Sequence, residues 1–507
     1  MSGRKESKQL YDLIKSLSGS EKRYFKLYAS NHVMASGNKS IELFDQIDRQ
    51  QSPEEDVKGQ QQKISRHLPR IRQYLYALIL KSLDAYYAEN SIAIKIRKML
   101  NSIEILFAKG LNEQCLKIIK KAKELAALYE LDTYIYEINT WEINLKNRLN
   151  IGNVFKVRVA LYKEQDLVLE RLRQTFDYLV VSGTVLALQK IVGNSLPAQK
   201  IKALNKMVDV QLISAKCKGS GFRVSYAYLS SNAIYASTSG DHAGSYLHRK
   251  QMIELYEKYP QHIENQKRLY INTHINLLGD CKSLRKYKEC ALIIEKIRGF
   301  NKRWPETEKD TNEGFFQTLI NTSIAMEEFE KGPALALEID AFYKKHENKV
   351  DRNLEVLAYY NLCVYFFVAT DYKRALYYCN KVLNYKELEI RKDIGSYTRV
   401  LNLVINYELK NYQLIEYNLQ SFSVFLKKIN NKNRVEKALI AFFHKLININ
   451  DTKEEIAAFK LYKQDLGRII ENPKEKIIIG YFNLMAWAES KIRKTTLTVI
   501  AKEMNWY

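Results

Sequence analysis

Residues Leu354–Leu383 read LEVLAYYNLCVYFFVATDYKRALYYCNKVL, and the fold follows from how this stretch divides. It breaks at Ala369-Thr370-Asp371. Before the break, Tyr359, Leu362, Phe366 and Phe367 recur at helical spacing; after it, Tyr372, Ala375, Leu376, Cys379, Val382 and Leu383 do the same. Two helices joined by so few residues form an antiparallel hairpin. A hairpin with apolar surface on both flanks has to be covered by neighbours.

The same pattern recurs on either side. An aromatic residue or histidine opens each second helix, at His242, Tyr287, Phe329, Tyr372 and Tyr412, with intervals of 45, 42, 43 and 40 residues. Three residues later stand Ser245, Cys290, Gly332, Ala375 and Ile415, four of the five being small. Four further on come Arg249, Ile294, Ala336, Cys379 and Leu419, and three beyond those Met252, Ile297, Ile339, Val382 and Phe422. This 3-4-3 spacing is one face of a helix, and the small residue lets the facing helix approach closely. The chain is therefore expected to be all-α and built from hairpins.

The opening stretch resembles a tetratricopeptide repeat, with Leu362, Phe366, Asp371-Tyr372, Ala375 and Leu383 at that family's positions. It departs from the pattern at Cys363, Val382 and Glu387, and its intervals exceed the family's usual period of about 34 residues. The resemblance implies a right-handed superhelix, an α-solenoid of antiparallel hairpins with long, irregular repeats. It also implies a groove lined by the first helix of each hairpin, here at Leu357, Tyr360, Val364, Phe367 and Val368. That lining lacks the Lys/Asn constellation with which some tetratricopeptide proteins hold a peptide carboxylate. Tyr360, Val364, Phe367 and Val368 are accordingly the candidate partner-binding residues, unless the chain's own helices fill the groove. The burial of Phe367 decides between the two.

Residues 1–90 read as a separate helical capping module. Leu10, Leu13, Ile14 and Leu17 form an apolar stripe, and Ser18 with Glu21 has capping-box spacing. The run Leu13–Ser30, LIKSLSGSEKRYFKLYAS, resembles the start of a group of bacterial helical-repeat proteins, which assigns no activity. Residues 91–507 are expected to hold the repeat array. In it, Ile92–Phe107 pairs with Asn112–Tyr129 around Gly110, Asp132–Leu149 with Phe155–Arg173, and Thr175–Gln189 with Pro197–Lys216. Arg434–Ile449 and Lys453–Ile470, the latter capped by Thr452 and Glu455, make the last clear pair before an aromatic closing segment.

Composition fits this reading and narrows function. Only 7 Pro and 19 Gly in 507 residues argue for long helices and few turns. The 35 Tyr suit hairpin layers, where a ring packs and its hydroxyl reaches water. None of the six Cys forms a CxxC pair, as in a reduced compartment. No apolar run approaches a membrane span, and the first residues lack a signal-peptide core, so a cytoplasmic location is expected. The eight His include no i, i+4 pair, and Gly219-Ser220-Gly221 lacks the remainder of a phosphate-binding loop, so no metal, cofactor or small-molecule substrate is expected.

The formal net charge of +23 raises the question of polyanions. Three stretches are nearly free of acids: Val57–Leu83, Tyr178–Gly240 and Tyr417–Asn450. The second contains Lys200, Lys202 and Lys206, the candidate polyanion contacts. No nucleic-acid-binding module accompanies them. The reading is a non-enzymatic scaffold that binds a protein or peptide through a helical-repeat surface. The alternative is a nucleic-acid-associated protein using its basic faces.

Overall fold

A computed structural model describes residues 2–32, 37–52, 68–88, 91–149, 154–192, 217, 221–347, 349–385, 392–430, 433–472, 475 and 479–504. Among these residues every regular element is a helix and no strand occurs. The chain divides into two compact units, Met1–Arg173 and Gln174–Tyr507.

The first unit begins with α1 (Ser2–Ser16), α2 (Gly19–His32), α3 (Gly37–Arg49) and α4 (Leu68–Tyr87). They close around Ile14, Phe25, Phe44, Leu75 and Ile79, with the two Phe rings 4.6 Å apart. The capping box expected at α2 is formed: Glu21 N donates to Ser18 Oγ at 3.3 Å, and Ser18 N donates to Glu21 Oε2 at 2.6 Å. Burial opposes the Glu21 charge, but hydrogen bonds from Ser18 and Tyr87 outweigh it and hold the carboxyl below its ordinary range. A second core follows, built by α5 (Ile92–Ala108), α6 (Asn112–Leu128), α7 (Asp132–Leu149) and the start of α8 (Val154–Val192) around Ile103, Cys115, Ile119 and Ile138. The position expected to divide the capping module from the repeats, 90/91, separates these two apolar clusters. The two compact units themselves meet in sequence at 173/174.

The expected break between Phe155–Arg173 and Thr175–Gln189 does not occur. Helix α8 runs on without interruption, because no Gly or Pro stands between Val154 and Ser182 to end it. The helix expected over Pro197–Lys216 falls outside the described residues.

The second unit continues with α9 (Phe222–Thr238), α10 (His242–Lys258), the short α11 (Pro260–Asn265), α12 (Lys267–Ser283), α13 (Tyr287–Arg303), α14 (Glu308–Ala325), α15 (Gly332–Lys345), α16 (Arg352–Val368), α17 (Tyr372–Leu383), α18 (Lys392–Glu408), α19 (Tyr412–Lys428), α20 (Arg434–Leu446), α21 (Thr452–Ile470), α22 (Leu484–Ile492) and α23 (Leu497–Glu503). One apolar core extends through it from Phe222 to Ile500. Most helices pack on their sequence neighbours, and the first helix of one hairpin packs on the first helix of the next: α12 on α14, α14 on α16, α16 on α18.

The 3-4-3 face is the buried face. Ser245, Cys290, Ala375 and Ile415 are fully buried, as are Ile297, Ile339, Cys379, Val382 and Leu419. Gly332 makes the closest approach, since a Cβ there would overlap the Tyr365 ring. Polar contacts between hairpins keep the same period. Tyr246 with Glu289, Arg298 with Glu338, Lys381 with Asp340, Tyr365 with the Glu328 carbonyl and Asn361 with Gln317 pair residues 37 to 44 positions apart.

The turns share one geometry. Gly110, Glu130, Gly240, Arg285, Glu327, Thr370, Lys410 and Lys494 all have positive φ. In each case the next residue's N–H reaches back across the turn, as Asp371 N does to Phe366 O at 2.9 Å and Asn411 N to Asn406 O at 2.9 Å. This closes the last helical turn and satisfies its carbonyls. At α21 the cap is Asp451, whose carboxylate accepts from Lys453 N and Glu454 N; it takes the role expected of Thr452 one residue later.

Candidate binding cleft

Tyr360, Val364, Phe367 and Val368 do share one region of α16, but it is closed. Their exposures are 1%, 7%, 2% and 1%. The cover is the C-terminal segment. Tyr481 meets the Tyr360 ring at 6.2 Å, Phe482 meets Phe367 edge-on at 5.2 Å, and Thr498 Oγ1 donates to the Val368 carbonyl at 3.4 Å. The segment is fixed further along by Trp487, which stacks on Phe443 and donates Nε1 to Glu408 Oε1 at 2.8 Å. Lys502 pairs with Glu327 at 2.7 Å. A peptide site on this face of α16 is therefore corrected to core: the chain supplies its own occupant. Lys200, Lys202 and Lys206 lie outside the described residues.

Buried polar groups in the second unit serve packing. Arg249 occupies an apolar position of the 3-4-3 face, and Asp280 on α12 answers it. Arg249 NH1 donates to Asp280 Oδ2 at 2.5 Å and to the Asn276 carbonyl at 2.8 Å, while Ser245 Oγ donates to the same carboxylate at 2.9 Å. Burial pushes the Asp280 carboxyl up, and Arg249 and Ser245 draw it only part of the way back. His274 is buried between Tyr270 and Phe300 with Nδ1 on the Tyr270 carbonyl. Burial lowers its pKa to about 4, so the ring is neutral at pH 7. Among the described residues no group of three His, Cys, Asp or Glu could hold a metal, and no helix is long and apolar enough to cross a membrane. No disulfide links the six Cys.

In the second unit an open cleft of about 560 Å³ lies between α13 and α15, floored by α14. Ile294, Leu319, Met326 and Leu335 line its depth, with Ala291 and Ala334 on the two walls. Its origin is visible in the register of the second helices. Two positions after the small residue of the 3-4-3 face, four hairpins carry a large apolar side chain turned to solvent: Leu247 (54% exposed), Leu292 (67%), Tyr377 (58%) and Tyr417 (70%). The fifth carries Ala334. The α15 hairpin also starts irregularly, with a 3-10 turn over Phe329–Lys331 followed by Gly332 and Pro333. A missing side chain and a displaced helix start together leave the cleft. The lining spans residues 291–338, so no single window of sequence signals it; the one local sign is Ala334 among large residues at that register.

A scan of protein-family models matches none to this chain, and searches of curated proteins and of solved structures return no match.

Proposed function

We propose that the protein is a non-enzymatic scaffold of the cytoplasm, a right-handed tetratricopeptide-like α-solenoid that binds a protein partner on the outer faces of its second helices. The observation that carries this reading is the row of solvent-facing Leu247, Leu292, Tyr377 and Tyr417, interrupted at Ala334 by a cleft with an apolar floor. Large apolar side chains held outward at one register position, beside a concave apolar surface, are what a protein interface uses as anchors and pocket. The solenoid component is supported by the one-repeat period of the contacts between hairpins and by the stacking of α12, α14, α16 and α18. In repeat architectures each unit packs on its neighbours, and contacts of this period are what that packing produces.

A photo-cross-linking amino acid placed at Leu292 in the native host tests the reading. A discrete protein adduct is expected there and not from Leu461, which is 64% exposed on α21, away from the cleft lining. Equal labelling from both positions, or none from Leu292, would remove the proposal.

A further inference from the structure

We infer that the cleft between α13 and α15 takes a cationic amphipathic helix of a partner protein, apolar side chains on the floor and lysine or arginine side chains on the rim. The inference rests on the scaffold reading above and adds the chemistry of the ligand. The floor is apolar, as described, and its volume is in the range that buries several ligand side chains. The rim is acidic. Glu295, Glu328, Glu330 and Glu338 stand there against Arg298 and Lys331 alone. Arg298 is already committed to Glu338 at 3.1 Å and Glu295 at 3.8 Å, and Lys331 to Glu328 at 2.6 Å. Glu330 is exposed and pairs with no cation among the described residues.

The rim thus carries two more carboxylates than cations, against the sign of a chain of net charge +23. The general field of the molecule repels a cationic ligand, so only a short-range acidic rim with apolar contact beneath it can retain one. An acidic or phosphorylated segment would face the four rim carboxylates and gain nothing from the floor that a cationic helix would not. Helix-in-groove recognition supplies the geometry: anchors at i, i+3 and i+4 enter the floor while flanking charges meet the rim.

The test uses the full chain and two labelled synthetic helices, one of Leu and Lys and one of Leu and Glu with the same apolar face. The Leu/Lys helix is expected to bind the wild type. Ala334→Leu should weaken it at least tenfold, because it restores at this position the large side chain that the sister helices carry. For the same reason that variant is expected to fold, which its unchanged thermal unfolding would show. Glu295→Gln with Glu330→Gln should weaken binding several-fold without filling the cleft, which covers the case of an Ala334→Leu chain that does not fold. Binding of the Leu/Lys helix that both sets of substitutions leave unaltered, or no binding at all, overturns the inference. So does self-association of the chain abolished by Ala334→Leu, since the occupant is then a second copy. If cross-linking from Leu292 captures a partner that the Leu/Lys helix fails to displace, the scaffold reading stands and the ligand chemistry assigned here falls.

Discussion

Thr370 sits at φ +61 in the turn between α16 and α17, a conformation that crowds a β-branched side chain. Left-handed backbone raises the energy of a non-glycine residue by about 1–2 kcal/mol, part of which glycine gives back through its freer unfolded chain. Thr370→Gly is therefore expected to stabilise the second unit by roughly 0.5–1 kcal/mol, read as a higher denaturant midpoint at unchanged slope. A lower midpoint would mean that the Thr370 side chain contributes more than its strain removes. At this scale the sequence is legible only in places. Gly110 and Gly240 announce their turns, whereas Glu130, Arg285, Glu327, Lys410 and Lys494 adopt the same geometry with no compositional sign. The surrounding helices impose it. Arg249 is legible as an odd charge on an apolar face, but its partner Asp280 is not, because 31 residues, among them the short α11, separate them.

Among elements, α17 tests the hairpin packing most directly. Ala375 is fully buried where α17 meets its neighbours, and its N–H closes the first turn onto Asp371. Ala375→Leu adds three carbons to a filled contact and is expected to destabilise the second unit by about 1–3 kcal/mol. Equilibrium denaturation measures it, and a neutral result would show slack between α16 and α17. Helix starts at His242, Tyr287, Tyr372 and Tyr412 were readable to the residue, since aromatic openers and the buried 3-4-3 face reinforce one another. The apolar second face of α16 was readable as well. What covers it was not, because periodicity says that a face is buried and never by which distant segment. The cleft escaped for a related reason: it is an absence, one alanine where the other second helices carry leucine or tyrosine.

For the molecule as a whole, the charge of +23 makes contact with polyanions a quantitative question. Ion pairs such as Lys381–Asp340 and Lys345–Glu308 occupy many cations within the fold, yet a large excess remains. Binding to duplex DNA at low salt is expected from net charge alone, and it should fall away as salt approaches physiological strength. The informative quantity is the slope of log affinity against log salt. If Lys200, Lys202 and Lys206 each neutralised one phosphate, changing all three to Gln would reduce that slope by about 2.7. The scaffold reading expects a reduction below about 1. The larger value would establish the basic stretch as a nucleic-acid contact.

The closure of α16 by the C-terminal segment has a consequence for biosynthesis. The Val368 carbonyl and the Thr498 hydroxyl that bonds it are 130 residues apart in the chain. At ribosomal rates of about 5–20 residues per second, that interval lasts roughly 7–26 s. For most of it, Tyr360, Val364 and Phe367 have been made while Tyr481 and Phe482 have not. The nascent polypeptide thus displays an oily strip along α16, and only the later segment that carries Tyr481, Phe482 and Thr498 extinguishes it. Ribosomes that stop short of Tyr481 release chains in which this strip is permanently bare, the kind of surface that protein quality control removes.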